Sequence, residues 1–344
     1  MKIIRMVLLK VIVISMTVLI ITQSCSKEGL IQGSDQKEIL RIPEGFPNMS
    51  FPSDNEFSES RWVLGKKLFF DPILSIDSTI SCASCHKPSI SFSDDVALSN
   101  GVKDRMGVRN SPSLANVGYH PYYLREGGVP TLEMQVLVPI QEHNEFNHNI
   151  VDISEQLLTI PEYVELSQTA YNRNPDPFVI TRAIATFERS LISGNSAYDL
   201  YQNGNNNALS SQEIKGMNLF FSSKTNCSSC HGGFNFTDYS FQNNGLFTNY
   251  EDIGRMRITN DSSDLALFKV PSLRNVMLTA PYMHSGQIKT LEEVIEHYNN
   301  GGVNYFNKST EIVPLNLTNS EKTDLLAFLK SLTDYEFISN VNWN

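Results

Sequence analysis

The chain has 344 residues, of which 41% are hydrophobic and 19% are charged, and its formal net charge is −10 at pH 7. This composition is that of a globular protein of about two domains, and it excludes a largely disordered chain. The acidic balance argues against nucleic acid as a partner.

The first 24 residues have the order of a secretory signal, since three basic residues precede an apolar run over residues 11–21. The run is about half as long as the ~20 apolar residues that a membrane-spanning helix needs. Cys25 follows and resembles the lipidated cysteine of a bacterial lipobox, although Gln23 is unusual there. We expect a lipoprotein signal over residues 1–24, with a soluble export signal and an uncleaved anchor as the alternatives.

Residues 25–55 are rich in Ser, Gly, Pro, Asn and charge, which predicts a flexible tether. Beyond it, five elements occur twice in the same order. The first copy has GKKLFF at 65–70, CASCH at 82–86, PSLANV at 112–117, PY at 121–122 and TLE at 131–133. The second copy has GMNLFF at 216–221, CSSCH at 227–231, PSLRNV at 271–276, PY at 281–282 and TLE at 290–292. Two related domains explain this repeat.

Helical spacing of apolar residues dominates the chain. It predicts a helix ending at each Leu-Phe-Phe element, helices over residues 153–201, and a final helix capped by Ser320 with Leu325, Phe328, Leu329 and Leu332 on one face. Strand patterns are scarce, so we expect a mainly α fold. We assign residues 56–150 to the first domain, 151–205 to a helical connection, 206–335 to the second domain and 336–344 to a tail.

Each C-x-x-C-H motif has the residues that attach haem c covalently, because two thiols can add to the haem vinyl groups while the adjacent His reaches the iron. The residues are Cys82, Cys85 and His86 in the first copy and Cys227, Cys230 and His231 in the second. Zinc is the main alternative, but it needs four protein ligands at each site and leaves the His without a role. We therefore expect two cytochrome c-like domains, each with one covalently bound haem c, and no thiol left for a disulfide.

Four strings make residues 58–332 similar to the bacterial di-haem cytochrome c peroxidases and the related MauG-type enzymes. They are LGKKLFFDP at 64–72, RNSP at 109–112, LEMQ at 132–135 and VPSLRNVMLTAPYMHSG at 270–286. The resemblance implies that the haem nearer the N-terminus reacts with hydrogen peroxide. It also implies that the second haem has two axial ligands and stores electrons.

In that family a Gln, a Pro four residues later and a Glu ten residues later flank the peroxidatic haem, and Gln135, Pro139 and Glu145 have this spacing. Cleavage of the O–O bond needs a base that moves a proton between the two oxygens, so Glu145 is the expected shuttle and Gln135 the group that orients peroxide. Typical members also carry a His in the loop after the first motif, which blocks the resting iron. Residues 87–107 contain no His, and Val102 takes the nearest position. We expect an iron that is five-coordinate or loosely water-bound.

For the second haem, the resemblance implies a distal ligand that is Met in many peroxidases and Tyr in MauG-type enzymes. The matching position is Tyr298. A phenolate ligand would lower the reduction potential relative to a thioether. From the residues alone, His297, Met283 and His284 stay open as ligands, and Tyr298 as a packing residue.

Arg125 stands where the family usually has a Trp between the haems. Because Arg cannot be oxidised, inter-haem transfer would use another route, such as Tyr122 or Tyr123, or be slower; a cation near the haem propionates is the simpler interpretation. The family also holds calcium between its domains, largely through backbone carbonyls, which calcium accepts readily. The matching residues are Asn110, Thr279 and Pro281.

Three functions compete. The first is a di-haem cytochrome c peroxidase that reduces hydrogen peroxide to water with electrons from a small periplasmic donor protein of the cytochrome c or cupredoxin type. The second is a MauG-type oxidase that forms a high-valent state to oxidise a protein or other substrate. A non-enzymatic electron carrier is the weakest, because the first site offers no obvious second iron ligand.

We expect the peroxidase, exported to the periplasm and tethered there by a lipidated Cys25. Loss of the leader changes the formal charge from −10 to −13, because residues 1–24 carry three basic and no acidic side chains. This charge favours a basic donor, since opposite charges accelerate encounter. A homodimer is compatible with these expectations.

Overall fold

The computed structural model describes residues 39–343, and this part is mainly α as expected. Its helices are α1 (Glu59–Phe70), α2 (Cys82–Cys85), α3 (Leu132–Gln135), α4 (Leu137–Gln141), α5 (Ile150–Leu158), α6 (Pro161–Tyr171), α7 (Pro177–Arg189), α8 (Ala197–Gln202), α9 (Ser211–Phe220), α10 (Met256–Thr259), α11 (Leu291–Asn299), α12 (Asn319–Ser331) and α13 (Tyr335–Ile338). Two short strands, β1 (Phe241–Gln242) and β2 (Phe268–Lys269), pair antiparallel, with Phe241 opposite Lys269.

The predicted signal peptide, Cys25 and residues 26–38 of the predicted tether lie outside the described residues. Among the helices of the described part, none is long and apolar enough to cross a membrane.

The repeat is visible as two packed helix pairs, α1 with α7 in the first half and α9 with α12 in the second. Each pair approaches most closely at a glycine. A Cβ at Gly65 would lie 1.9 Å from the carbonyl oxygen of Ala183, and one at Gly216 would lie 1.9 Å from that of Asp324. The glycine that precedes each Leu-Phe-Phe element therefore lets two helix backbones touch.

The last long helix begins two residues earlier than Ser320 predicts. Thr318 is the N-cap: its hydroxyl accepts from the backbone N–H of Glu321 at 3.3 Å, and the Glu321 carboxylate accepts from the backbone N–H of Thr318 at 2.9 Å. This reciprocal capping box satisfies two backbone donors, which Ser320 with Thr323 three positions later cannot do. The predicted apolar face is buried as expected.

Three predicted boundaries differ from the packing. Helix α7, assigned to the connection, covers α1 and so completes the first domain. The end of the predicted tether is folded, because Asn55 is fully buried and its side-chain amide donates to Glu133 at 2.8 Å. In the predicted tail, Phe337 and Trp343 are buried, and the ring centroids of Trp343 and of Phe92 in the first half are 6.0 Å apart. Composition hides these contacts, because their partners are distant in sequence.

The structure aligns the two copies of the repeat differently from the two PY dipeptides. The bridges Tyr123 with Val129 and Tyr282 with Ile288 occupy equivalent turns. Counting from Pro112 and Pro271, the counterpart of Tyr282 is therefore Tyr123 and not Tyr122.

Candidate haem and peroxide sites

A cavity of about 580 Å³ is lined by both halves of the repeat. It brings together most of the residues singled out from the sequence. Its lining includes Cys82, Cys85, His86, Gln135, Pro139, Glu145, Cys227, Cys230, His231 and Tyr298.

The two motif histidines are held in the same way. The Nδ1 atom of His86 lies 2.9 Å from the carbonyl oxygen of Phe92, and Nδ1 of His231 lies 3.1 Å from that of Phe236. A carbonyl accepts only, so Nδ1 carries the proton and Nε2 keeps its lone pair. Burial lowers the pKa of both rings, which keeps them neutral. Together with two free thiols per motif, this donor set fits haem c.

Gln135, Pro139 and Glu145 come from one continuous segment. Gln135 ends α3, Pro139 lies in α4, and Glu145 follows the end of α4. The carbonyl of Pro139 accepts from the backbone N–H of Phe146 at 3.1 Å, which ties the Glu145 loop back to the helix. All three therefore reach the same wall of the cavity.

Glu145 lines the cavity, where its side chain is accessible, and protein surrounds the carboxyl group on its other sides closely enough to affect its titration. Burial raises its pKa to about 7, and the neighbouring charge of Glu142 adds to the effect. A carboxyl with this pKa is poised to accept and return a proton at neutral pH.

The loop that would carry a blocking His is packed on the Glu145 loop instead. Val102 is fully buried, and its backbone N–H donates to the carbonyl of Glu145 at 3.0 Å. A Cβ at Gly101 would lie 2.1 Å from the carbonyl oxygen of Asn144. The two loops are thus in direct backbone contact, and the open coordination of the first iron stays a prediction.

Tyr298 lies on α11, beside the side chain of Asn244 and the two cysteines of the second motif; burial raises the pKa of its phenol. Of the alternatives, His297 uses Nε2 for a 3.0 Å contact with the carbonyl of Asn244 and is not in the cavity lining. Met283 lines the cavity, and its sulfur accepts from the side-chain amide of Asn244 at 3.2 Å. His284 lines it too, stacked on a phenylalanine ring at 4.0 Å.

Arg125 lines the cavity and binds Asn110. Its Nε and Nη2 donate to the Asn110 carbonyl at 3.0 and 2.7 Å, and Nη2 also donates to the side-chain oxygen at 3.0 Å. Of the two proposed relay residues, Tyr123 is buried in the lining, whereas Tyr122 is exposed and outside it. Of the three residues expected at the calcium site, Asn110 does not fit the ion, because both its oxygens already accept from the Arg125 guanidinium.

Sequence reasoning missed Glu188, which lies in α7 and lines the same cavity. It is 5% exposed, and one of its carboxylate oxygens has no hydrogen-bond partner among residues 39–343. Burial raises its pKa to about 8. The sequence gives one hint of Glu188: an acidic residue comes directly after Phe187, which shares an apolar helix face with Ile184.

A chain with two C-x-x-C-H motifs, each held in a helical half with a free His Nε2, is a di-haem c-type cytochrome. Residues 59–207 match the family described as di-haem cytochrome c peroxidase, and residues 214–333 match cytochrome c. The chain belongs to the di-haem cytochrome c peroxidase family, which includes MauG. It is therefore an oxidoreductase that acts on peroxide and holds two haem c groups.

Similarity to individual proteins extends over most of the chain. The methylamine utilization protein MauG of Methylorubrum extorquens is 35% identical over 86% of this chain and 84% of its own length. The cytochrome c551 peroxidase of Nitrosomonas europaea is 36% identical over 78% of this chain and 79% of its own length. A crystal structure of a MauG-like protein associated with microbial copper homeostasis superposes with a TM-score of 0.84 and 33% identity, covering 88% of this chain and 98% of that one.

Proposed function

We propose that this chain acts as a cytochrome c peroxidase that reduces hydrogen peroxide to water with electrons from a small donor protein. The observation that supports this most directly is the shared cavity lining of His86, Gln135, Pro139 and Glu145, with a pKa of about 7 for Glu145. Haem bound at His86 would supply the iron that passes electrons to the O–O bond.

The protein's own part in the reaction is proton handling and orientation. The Glu145 carboxylate takes a proton from one peroxide oxygen and returns it to the other, which leaves as water. The Gln135 amide donates to peroxide and orients it. Two electrons from the donor and two protons from solvent then reduce the remaining oxygen to a second water.

A MauG-type oxidase is the second candidate. Two observations favour it: Tyr298 lies beside the cysteines of the second motif, and Val102 stands in the loop where a blocking His is typical. The 35% identity to MauG supports the same candidate.

Steady-state turnover of peroxide with reduced cytochrome c separates the candidates. We expect rapid turnover by the haem-loaded wild type and its loss in Glu145→Gln, with both haems retained in the absorption spectrum. Oxidation of the protein by peroxide without turnover of the donor would indicate the MauG-type oxidase. A spectrum of the oxidised protein without a high-spin ferric signal would contradict an open first iron.

Export and anchoring belong to the same proposal. Residues 1–24 would direct the chain to the periplasm, and a lipid on Cys25 would hold it at the membrane. The variant Cys25→Ser should then move from the membrane fraction to the soluble periplasmic fraction. A basic donor protein and a homodimer stay predictions.

A further inference from the structure

We propose that the guanidinium of Arg125 takes the place of a calcium ion between the two halves of the repeat, so that this chain needs no divalent cation there. The inference concerns the position where related enzymes are expected to use Asn110, Thr279 and Pro281 as ligands. It is independent of the choice between peroxidase and oxidase.

The first step is the orientation of Asn110, which is 5% exposed and fully engaged. Its backbone N–H donates to the carbonyl of His284 at 2.9 Å, and its side-chain amide donates to the carbonyl of Val96 at 3.2 Å. These bonds turn both Asn110 oxygens towards Arg125, which donates to them at 2.7 to 3.0 Å. A fixed positive charge thus already holds the oxygens that a hard cation would need.

The second step is charge balance. Calcium binds oxygen at about 2.3–2.6 Å, so an ion on Asn110 would lie within roughly 5 Å of the guanidinium and be repelled by it. The nearest carboxylates cannot offset this, because Asp252 and Glu126 are both paired with Arg109. Asp252 receives two bonds from Arg109, at 2.7 and 2.8 Å. Arg125 and Arg109 thus balance the two carboxylates without a metal ion, and Lys269 adds a further positive charge nearby.

The third step comes from the repeat itself. In the register that relates Pro112 to Pro271, the counterparts of Asn110, Thr279 and Pro281 are Lys269, His120 and Tyr122. There the ammonium of Lys269 donates to the carbonyl of Tyr122 at 2.6 Å and lies 3.4 Å from Nδ1 of His120. The equivalent position on the other side of the repeat therefore also holds a cation that belongs to the protein.

The fourth step is the connection between the halves. The carbonyl of Arg125 accepts from the backbone N–H of Lys269 at 2.7 Å, as the carbonyl of His284 accepts from Asn110. Arg125 thus bonds to the second half through its backbone carbonyl, and its side chain holds Asn110, whose own backbone N–H bonds to His284 of the second half.

The test uses the purified haem-loaded protein. We expect well under one calcium per chain by elemental mass spectrometry, and the same thermal midpoint in EDTA as in calcium chloride. Arg125→Gln should unfold at a lower temperature, bind calcium, and regain stability when calcium is added. Arg125→Lys, which keeps the charge, should show less dependence on calcium.

Two results would overturn the proposal. One is a wild type that retains one calcium per chain or loses stability in EDTA, a measurement that needs no variant. The other is an Arg125→Gln protein that folds with both haems and has the same thermal midpoint with and without added calcium. If that variant does not fold, the calcium content and EDTA response of the wild type decide.

Discussion

Replacing Glu145 by Gln tests the proposed proton shuttle with little change in shape. A positioned general base contributes about 10²–10⁴-fold to a rate. Since each tenfold corresponds to about 1.4 kcal/mol of activation free energy, the variant should lose about 3–5 kcal/mol of transition-state stabilisation. We expect kcat/KM for peroxide to fall by that factor while Gln135 and the haem remain in place.

The pH dependence gives a second readout. Only the carboxylate accepts a proton, so a pKa of about 7 predicts a rate that rises with pH and is half-maximal near pH 7. Burial is the main cause of the raised pKa and Glu142 the second. Glu142→Gln removes the second cause and should move the half-maximal point to lower pH.

Stopped-flow mixing of the oxidised holoprotein with peroxide between pH 5 and 9 measures both effects. Glu155→Gln is the matched control, because this exposed residue on α5 changes the net charge equally and lies outside the cavity lining. A Glu145→Gln variant that reacts at nearly the wild-type rate would refute the shuttle. A midpoint that does not move in Glu142→Gln would refute the electrostatic reasoning.

Three further predictions concern the surroundings of the two sites. Gly101→Ala should slow the peroxide reaction by about 100-fold at unchanged haem content, because the new Cβ would meet the Asn144 carbonyl at 2.1 Å and displace the proton shuttle; stopped-flow rates measure this. Tyr298→Met should raise the reduction potential of the second haem in a spectroelectrochemical titration, and an unchanged potential would argue against ligation. Arg274→Ala should cost about 3–5 kcal/mol in urea unfolding at pH 7, since it leaves the buried carboxylate of Asp199 unpaired. Burial alone would raise the pKa of Asp199, but Arg274 lowers it overall, so the difference between wild type and variant should shrink as the pH falls and this carboxyl takes up a proton.

Much of the candidate site could be predicted, because its parts are short-range. The C-x-x-C-H motifs and the spacing of Gln135, Pro139 and Glu145 each lie within one segment, and the structure places all of them in one cavity lining. Their catalytic roles stay predictions. The helical class was also predictable, since apolar spacing reports directly on which face of a helix is buried.

What could not be predicted depends on contacts between distant segments. Asn55 and Trp343 lie in polar stretches that read as a tether and a tail, and only their partners in the folded chain show that they are buried. Glu188 was missed because a single acidic residue on a helix is usually exposed. The prediction of Ser320 as the N-cap was wrong. Thr318 is the N-cap because Glu321, three positions later, completes a capping box, whereas Ser320 has no Glu at that spacing.

The contact of Trp343 with the first half of the repeat has a consequence for the first haem site. Trp343 packs against Phe92, and the carbonyl of Phe92 holds the ring of His86. Trp343, a residue far from the first haem motif in sequence, therefore helps to fix the backbone carbonyl that orients the first haem ligand. Loss of the Trp343 ring should therefore loosen the first haem site, although the second haem motif is closer to Trp343 in sequence.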